Sequence, residues 1–397
     1  MKRFIIPVFL LGCLAACDSD DDDDQNITPT VTTQEVVNNY ADLVLANYDD
    51  AWKLAKDLQA QVNAFVQNPT AKGLEDSKAA WLASRVPYLQ TEAFRFYDGP
   101  IDGTEENLEG LINSWPLDEA YIDYVKEEKA PGGINYLAGV INNLKDYPTI
   151  SEEVLLADNG KNGDTDVKVG YHAIEFLLWG QDLYDDSAGK RPYTDYVKGG
   201  TAQNQERRAQ YLKIVTDLLV KDLEKVKAQW ETAGAYRKDF TAAANVTQSL
   251  TNMMLGMGKL TKGELSGERM TVILASKDQE DEHSCFSDNT HNDYIYDEAG
   301  IYNVYLGRYK RVDGTTLDGP GIDDLVKAKS IDINAQITTG MDAATAAVKA
   351  IPAPVDQAVK NARPAMEAAI KSLRAQADLI TLAGSTIGIN LSIPETN

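Results

Sequence analysis

The residues best equipped for chemistry fall in two short stretches. Gly170 to Asp182 reads GYHAIEFLLWGQD and holds His172 and Glu175 three positions apart. Gln279 to Asp293 reads QEDEHSCFSDNTHND and holds His283 and His291, the other two of the three histidines. On a helix, positions i, i+3, i+4 and i+7 share a face, so His172, Glu175, Phe176 and Trp179 align and Asp182 extends the line. Ala173, Ile174, Leu177 and Leu178 cover the other sides, which predicts a helix buried nearly all round. A His and a Glu inside such a helix require partners, because an unpaired buried charge is costly. Imidazole with carboxylate suits zinc or iron. Glu92, Glu280, Asp281, Glu282, Asp288 and Asp293 are the further carboxylates nearby in sequence or in the expected cleft.

Other chemistries find little support. A metalloprotease of the H-E-x-x-H type places two histidines one helical turn apart, with the glutamate as base. Here His172 is followed by Ala173 and position 176 is Phe. No G-x-S-x-G, phosphate-binding loop or dinucleotide fingerprint is present. Asp158 to Asp166 has the acidic spacing of a calcium loop but lacks the glutamate at the twelfth position. Met253, Met254 and Met257 read as core filling rather than a soft-metal site. Cys285 and His283 are too close in sequence to face each other on a helix.

These residues need elements to hold them. Thr32 followed by Glu35 is a capping box, and Val37, Tyr40, Val44, Leu54, Leu58, Val62 and Phe65 continue it as a long amphipathic helix that Pro69 closes. A second helix from Thr70 aligns Trp81, Arg85, Tyr88 and Glu92, with Pro87 expected to kink it. Tyr97 to Gly103 is a turn-rich loop. Asp118 to Glu128 and Ile134 to Leu144 read as shorter helices, Gln205 to Trp230 as a long one. Phe240 to Leu265 and Glu268 to Ser276 are helical, Tyr294 to Tyr309 part loop, and two long helices over about Asp323 to Ala350 and Asp356 to Ala383 close the chain. Period-2 alternation is almost absent. The chain therefore reads as all-α, about a dozen helices in two bundles, over residues 32–235 and 236–397.

With 61 Asp and Glu against 38 Lys and Arg among 397 residues, the formal net charge is −23. That balance argues against nucleic acid, which needs a basic stripe, and against electrostatic docking on anionic lipid. Lys2 and Arg3 precede an apolar run, Phe4 to Leu14, too short for a spanning anchor. The run ends in Leu14-Ala15-Ala16-Cys17, which resembles a bacterial lipoprotein box and implies a signal peptide over residues 1–17 that is cleaved before a lipidated Cys17. An acidic linker, residues 18–31, follows. Its run Asp18 to Asp24 is similar to the export signals behind the lipidated cysteine of Bacteroidetes surface lipoproteins. Cys13 leaves with the signal and Cys17 carries lipid, so Cys285 has no partner for an intramolecular disulfide.

GYHAIEFLLWGQD is similar to the G-x-H-x-x-E signature of the imelysin-like family. Trp81 to Asp102, WLASRVPYLQTEAFRFYDGPID, and Gln279 to Gly307, ending GIYNVYLG, resemble the flanking blocks of its iron-regulated, IrpA-like branch. The resemblance spans nearly the whole mature chain. It implies a two-lobed helical fold of related bundles, with the shared motifs gathered between the lobes, and a place in the bacterial envelope on an outer-membrane lipid anchor. It also implies a link to iron acquisition. Matching the motifs position by position gives a binding site of Gly170, His172, Glu175, Arg85, Tyr88, Glu92, Asp281, His283, Ser287, Asp288, Asn289 and His291. His172, Glu175 and Glu92 would be the metal-binding centre, with Arg85 as an orienting charge. The expected ligand is iron or an iron-bearing small molecule, with zinc as the alternative metal and an envelope protein as a further partner. Two other readings stay open: a metallopeptidase with Glu175 as its catalytic group, and a structural lipoprotein whose His–Glu pair glues the lobes.

Overall fold

The computed structural model describes residues 31–103, 107–184, 186–394. The expected leader, Cys17 and almost all of the acidic linker lie outside these residues. Residues 31–397 form one compact unit, and the fold is all-α with two short hairpins.

The α-helices in chain order are α1 (Thr33–Gln67), α2 (Ala71–Gln90), α3 (Leu108–Ile112), α4 (Gly139–Asn142), α5 (Glu152–Asp158), α6 (Gly170–Trp179) and α7 (Gln205–Trp230). There follow α8 (Ala235–Phe240), α9 (Val246–Lys259), α10 (Val272–Ser276), α11 (Thr290–Leu306), α12 (Ile322–Lys329), α13 (Ile331–Lys349), α14 (Val355–Asn361) and α15 (Arg363–Thr386). A wide-turned π-helical segment, Leu260–Thr271, joins α9 to α10.

α1 starts as its sequence demands. The Glu35 N–H donates to Thr32 Oγ1 (3.2 Å) and the Thr32 N–H donates to Glu35 Oε2 (2.8 Å), a reciprocal cap that satisfies two end groups. α1 packs on α2 and α7, α6 lies against α7 and α2, and α15 lies against α13, α9 and the π segment. α11 packs on α2, and Gly300 is what lets it. A Cβ there would stand 2.4 Å from the Gln90 carbonyl oxygen, closer than any side chain tolerates. The two helices that carry Arg85 and Asp293 are thereby held at backbone contact.

Several expected elements differ. Residues 118–128 and 134–144 form no continuous helices. They hold a 3-10 turn (Glu119–Tyr121), an antiparallel pair, β1 (Val125–Lys126) with β2 (Ile134–Asn135), and the single turn α4. Pro131, Gly132 and Gly133 lie between the strands, and both glycines have positive φ (76° and 75°), which turns the chain back before a helix nucleates. The Tyr-rich segment expected to be part loop is helical through Leu306, because Tyr294, Ile301, Val304 and Tyr305 share one buried face. It then enters a second hairpin, β3 (Arg308–Lys310) with β4 (Thr316–Asp318). The last two long helices are each divided. Ser330 leaves the helical region and accepts from the Ile333 N–H at 3.2 Å, and Pro364 restarts the chain at the head of α15. Among the described residues no helix is long and apolar enough to cross a membrane.

Candidate functional site

α6 is short because glycines bound it. Gly170 opens it at φ +87°, where an added Cβ would lie 2.6 Å from the Ile112 carbonyl oxygen, and Gly180 closes it at φ +76°. Every residue between is buried. The helix is thus pressed onto α3, and His172 and Glu175 emerge on its inner face.

His172 Nδ1 and Glu175 Oε2 are 2.9 Å apart. Glu175 Oε1 accepts from the Ser287 N–H (2.9 Å) and the Ser287 Oγ–H (2.7 Å). Both carboxylate oxygens are therefore committed to protein groups. The second imidazole repeats the pattern. His283 Nδ1 and Asp293 Oδ2 are 2.8 Å apart, Ser284 Oγ–H donates to the same oxygen at 2.5 Å, and Asn289 Nδ2 donates to Oδ1 at 3.1 Å. The rings of His172 and His283 meet edge to face with centroids 4.7 Å apart. Two imidazoles, each oriented through Nδ1 by a carboxylate, therefore face one another. Such orientation fixes the ring and raises the basicity of the other nitrogen.

The outward nitrogens differ. His283 Nε2 has Asn113 Nδ2 at 3.5 Å. His172 Nε2 is buried and has no hydrogen-bond partner. Burial pushes both imidazoles well below their usual range, and nearby cations, Arg85 for His172 and Arg269 for His283, push further. Burial also lifts Glu175 to about 8, against the Ser287 hydrogen bonds. With Glu175 ionised, Nδ1–H donates to it and Nε2 offers a lone pair. With Glu175 protonated, Nε2 carries the hydrogen.

Arg85 lies beside the pair, fully buried among the rings of Trp81, Tyr88 and Tyr171, its Cζ 5.5, 5.4 and 4.9 Å from their centroids. Nη1 donates to Asn113 Oδ1. Nη2 is 3.7 Å from Asp293 Oδ1, too far for a hydrogen bond, so Nε and Nη2 have no hydrogen-bond acceptor. Tyr88 OH is likewise buried and unbonded. Between α2 and α11 a cleft of about 270 Å³ reaches Arg85 and Asn289 from the surface.

Glu92 lies past the end of α2, in a 3-10 turn, Thr91–Phe94. Its Oε2 accepts from Arg269 (2.6 Å) and Arg95 (2.9 Å), while Oε1 has no partner. Burial raises this carboxyl, but the two guanidinium groups outweigh it and hold it well below its usual range. Arg269 also donates to Asp297 Oδ2 at 2.7 Å. Glu92 acts on both imidazoles through its charge.

His172, Glu175, His283, Ser287, Asn289 and Arg85 come together as expected from the motifs, with Gly170 beneath and Tyr88 against Arg85. The expected metal-binding trio of His172, Glu175 and Glu92 needs correction. Glu175 orients His172 instead of standing beside it as a second ligand, and Glu92 is tied up by Arg269 and Arg95. Among the described residues no three His, Cys, Asp or Glu side chains gather as a metal-ligand set. His291 stands outside the pair. It is two residues from the inward Asp293, and two residues on a helix turn the side chain through about 200°. Asp281 ends a 3-10 turn (Gln279–Asp281) and is half-exposed. Asp288 sits at the rim in a left-handed turn, its carboxyl lifted to about 6 by burial and by Asp356 and Glu175. Cys285 is buried and free.

Asn113, Arg269 and Asp297 are site residues that the sequence reading missed. Their contacts span 28 to 177 positions, so no local pattern marks them. The one available signal is Arg269, whose neighbours one helical turn away include Leu265, Val272 and Ile273.

Three comparisons relate this chain to known proteins. The chain is 23% identical over 339 residues to Iron-regulated protein A of Synechococcus elongatus, covering 83% of this chain and 79% of that protein. Its fold matches the crystal structure of an iron-regulated protein A precursor from Parabacteroides distasonis with a TM-score of 0.66 and 20% identity, covering 89% of this chain and 95% of that one. The imelysin family model matches residues 44–380. The chain belongs to the imelysin family.

Proposed function

We propose that this protein binds iron carried in a small anionic chelate, with His172 Nε2 completing the coordination of the metal. The observation that carries this reading is a buried imidazole nitrogen with no protein partner, on a ring whose other nitrogen is held by Glu175; metal binding at Nε2 releases one proton and leaves Nδ1–H donating to an ionised Glu175. Leaving a buried polar atom unmet costs about 1–3 kcal/mol, which a ligand atom would recover. One free imidazole, with a second 4.7 Å away, does not hold a bare ion against water, so the metal arrives with most of its ligands. Arg85, with two unmatched nitrogens, supplies the positive charge and donors that a carboxylate chelate needs. The cleft of about 270 Å³ beside Arg85 and Asn289 has neither imidazole in its wall, so the chelate reaches His172 by displacing the side chains between them; its volume, below the roughly 300–1,000 Å³ typical of drug-sized ligands, suits a citrate-sized chelate better than a macrocycle. The relatives' names tie those proteins to iron, and the lipoprotein-like leader supports a lipid-anchored place in the envelope for this one.

Calorimetric titration of residues 31–397 with ferric citrate, ferrous ion and zinc tests the reading. One equivalent of ferric citrate binds, and His172→Ala weakens it by about 100-fold or more, while Glu175→Gln weakens it by about 10–100-fold. No binding of any iron species, or equal binding by His172→Ala, contradicts it. Metal-dependent hydrolysis of an unfolded protein, lost in Glu175→Gln, would restore the peptidase reading.

A further inference from the structure

A second concavity lies at the C-terminal end of α6, about 400 Å³ in volume, with Tyr124, Lys126, Gly180, Tyr184, Lys190 and Arg191 in its wall. Among the described residues no aspartate or glutamate lines it, although acidic residues outnumber basic ones 61 to 38 in the chain. Gln181 and three basic residues interrupt an otherwise apolar, glycine and tyrosine wall, and two of those cations, Lys126 and Lys190, are exposed. Its volume is within the range of small-molecule sites.

Arg191 gives the concavity its chemical direction. The residue is buried, and Nη1 donates to Asp123 (2.7 Å) and Asp195 (3.3 Å). Nε has no partner. A Cβ built on Gly180 would stand 3.5 Å from that Nε and 3.1 Å from Arg191 Cβ. Gly180, which lines the concavity, therefore packs directly on Arg191, whose guanidinium stands behind that wall. The two tyrosines supply flat walls. Lys190 Nζ sits 3.5 Å above the Tyr184 ring centroid and Arg191 Cζ 5.0 Å from that of Tyr124. Tyr136 extends the aromatic surface, 5.5 Å from Tyr124.

We propose that this concavity binds a small aromatic carboxylate. The ring lies against the edges of Tyr124 and Tyr184, the exposed Lys126 and Lys190 pair with the carboxylate, and Arg191 adds positive charge behind the Gly180 wall. The site is separate from the imidazole pair and does not depend on iron.

The test uses 1-naphthoate and its neutral counterpart 1-naphthylmethanol, with binding to residues 31–397 read from naphthalene fluorescence. Naphthoate binds at least about tenfold tighter than the alcohol, a difference of about 1.4 kcal/mol. The double variant Lys126→Gln/Lys190→Gln, which changes two exposed side chains, loses about tenfold in naphthoate affinity and little for the alcohol. Tyr184→Ala weakens both. Absence of naphthoate binding at millimolar concentration, equal affinity for acid and alcohol, or an unchanged double variant overturns the proposal. Circular dichroism of each variant separates loss of the site from loss of the fold, and His172→Ala must leave naphthoate affinity unchanged.

Discussion

His172 shows how far a local pattern reaches. The spacing of His172 and Glu175 on a helix, and its near-complete burial, were legible because helical geometry fixes which side chains share a face. What each atom does was not legible. Glu175 and His172 satisfy each other through Nδ1, and only a tertiary partner, Ser287, explains why the carboxylate points there. Arg85 was legible as a charge on the buried side of its helix. Its cage of three rings was not, since Tyr171 comes from 86 positions away in sequence. Of the two glycines that bound α6, Gly170 carries the tighter geometric demand. A Cβ there would meet only backbone, Ile112 O at 2.6 Å, Ile112 C at 2.9 Å and Leu111 O at 2.9 Å, at a φ of +87°. Gly170→Ala is expected to cost about 3 kcal/mol or more in urea unfolding. A variant within about 0.5 kcal/mol of the wild type, the range of neutral surface changes, would show that α6 is not pinned to α3 there.

At the scale of elements, strong periodicity was read well and mixed composition was not. α1 begins at its predicted cap, and α7 spans the apolar stripe that predicts it. α11 was misjudged because a Tyr-rich, acidic helix looks like loop until its buried face is known. That face also buries Glu298, which accepts from Gln376 Nε2 (2.8 Å) and Thr345 Oγ1 (3.2 Å). Burial lifts its carboxyl to about 8, against those hydrogen bonds. In the window from the ordinary glutamate range up to about 8, the folded chain holds this proton and the unfolded chain does not. Stability therefore falls as pH rises through the window, by at most about 1.4 kcal/mol per unit from this group. Glu298→Gln should flatten that slope and make the protein more stable at pH 8 than the wild type, by about 1–3 kcal/mol. Urea midpoints at pH 5 and pH 8 decide this, and an unchanged slope would place the proton elsewhere.

At the scale of the whole molecule, three sequence blocks far apart in the chain meet around one pair of imidazoles, and backbone contact between α2 and α11 holds two of them together. The all-α class was readable from the near absence of period-2 alternation. The convergence of the blocks was readable only through the family resemblance, because nothing local encodes which distant helices touch. The proposed envelope anchor predicts that the wild-type chain expressed with its leader partitions with membranes, whereas Cys17→Ser releases it to the soluble fraction. Equal partitioning of the two would remove the lipid anchor from the account. The most direct test of the central claim is X-ray absorption at the iron edge, on the chain loaded with ferric citrate beside His172→Ala. The wild type should show imidazole scattering, with a nitrogen at about 2.1 Å as is usual for histidine on a metal, and the variant should lose it. A shell of oxygen alone in both proteins would contradict iron binding at His172.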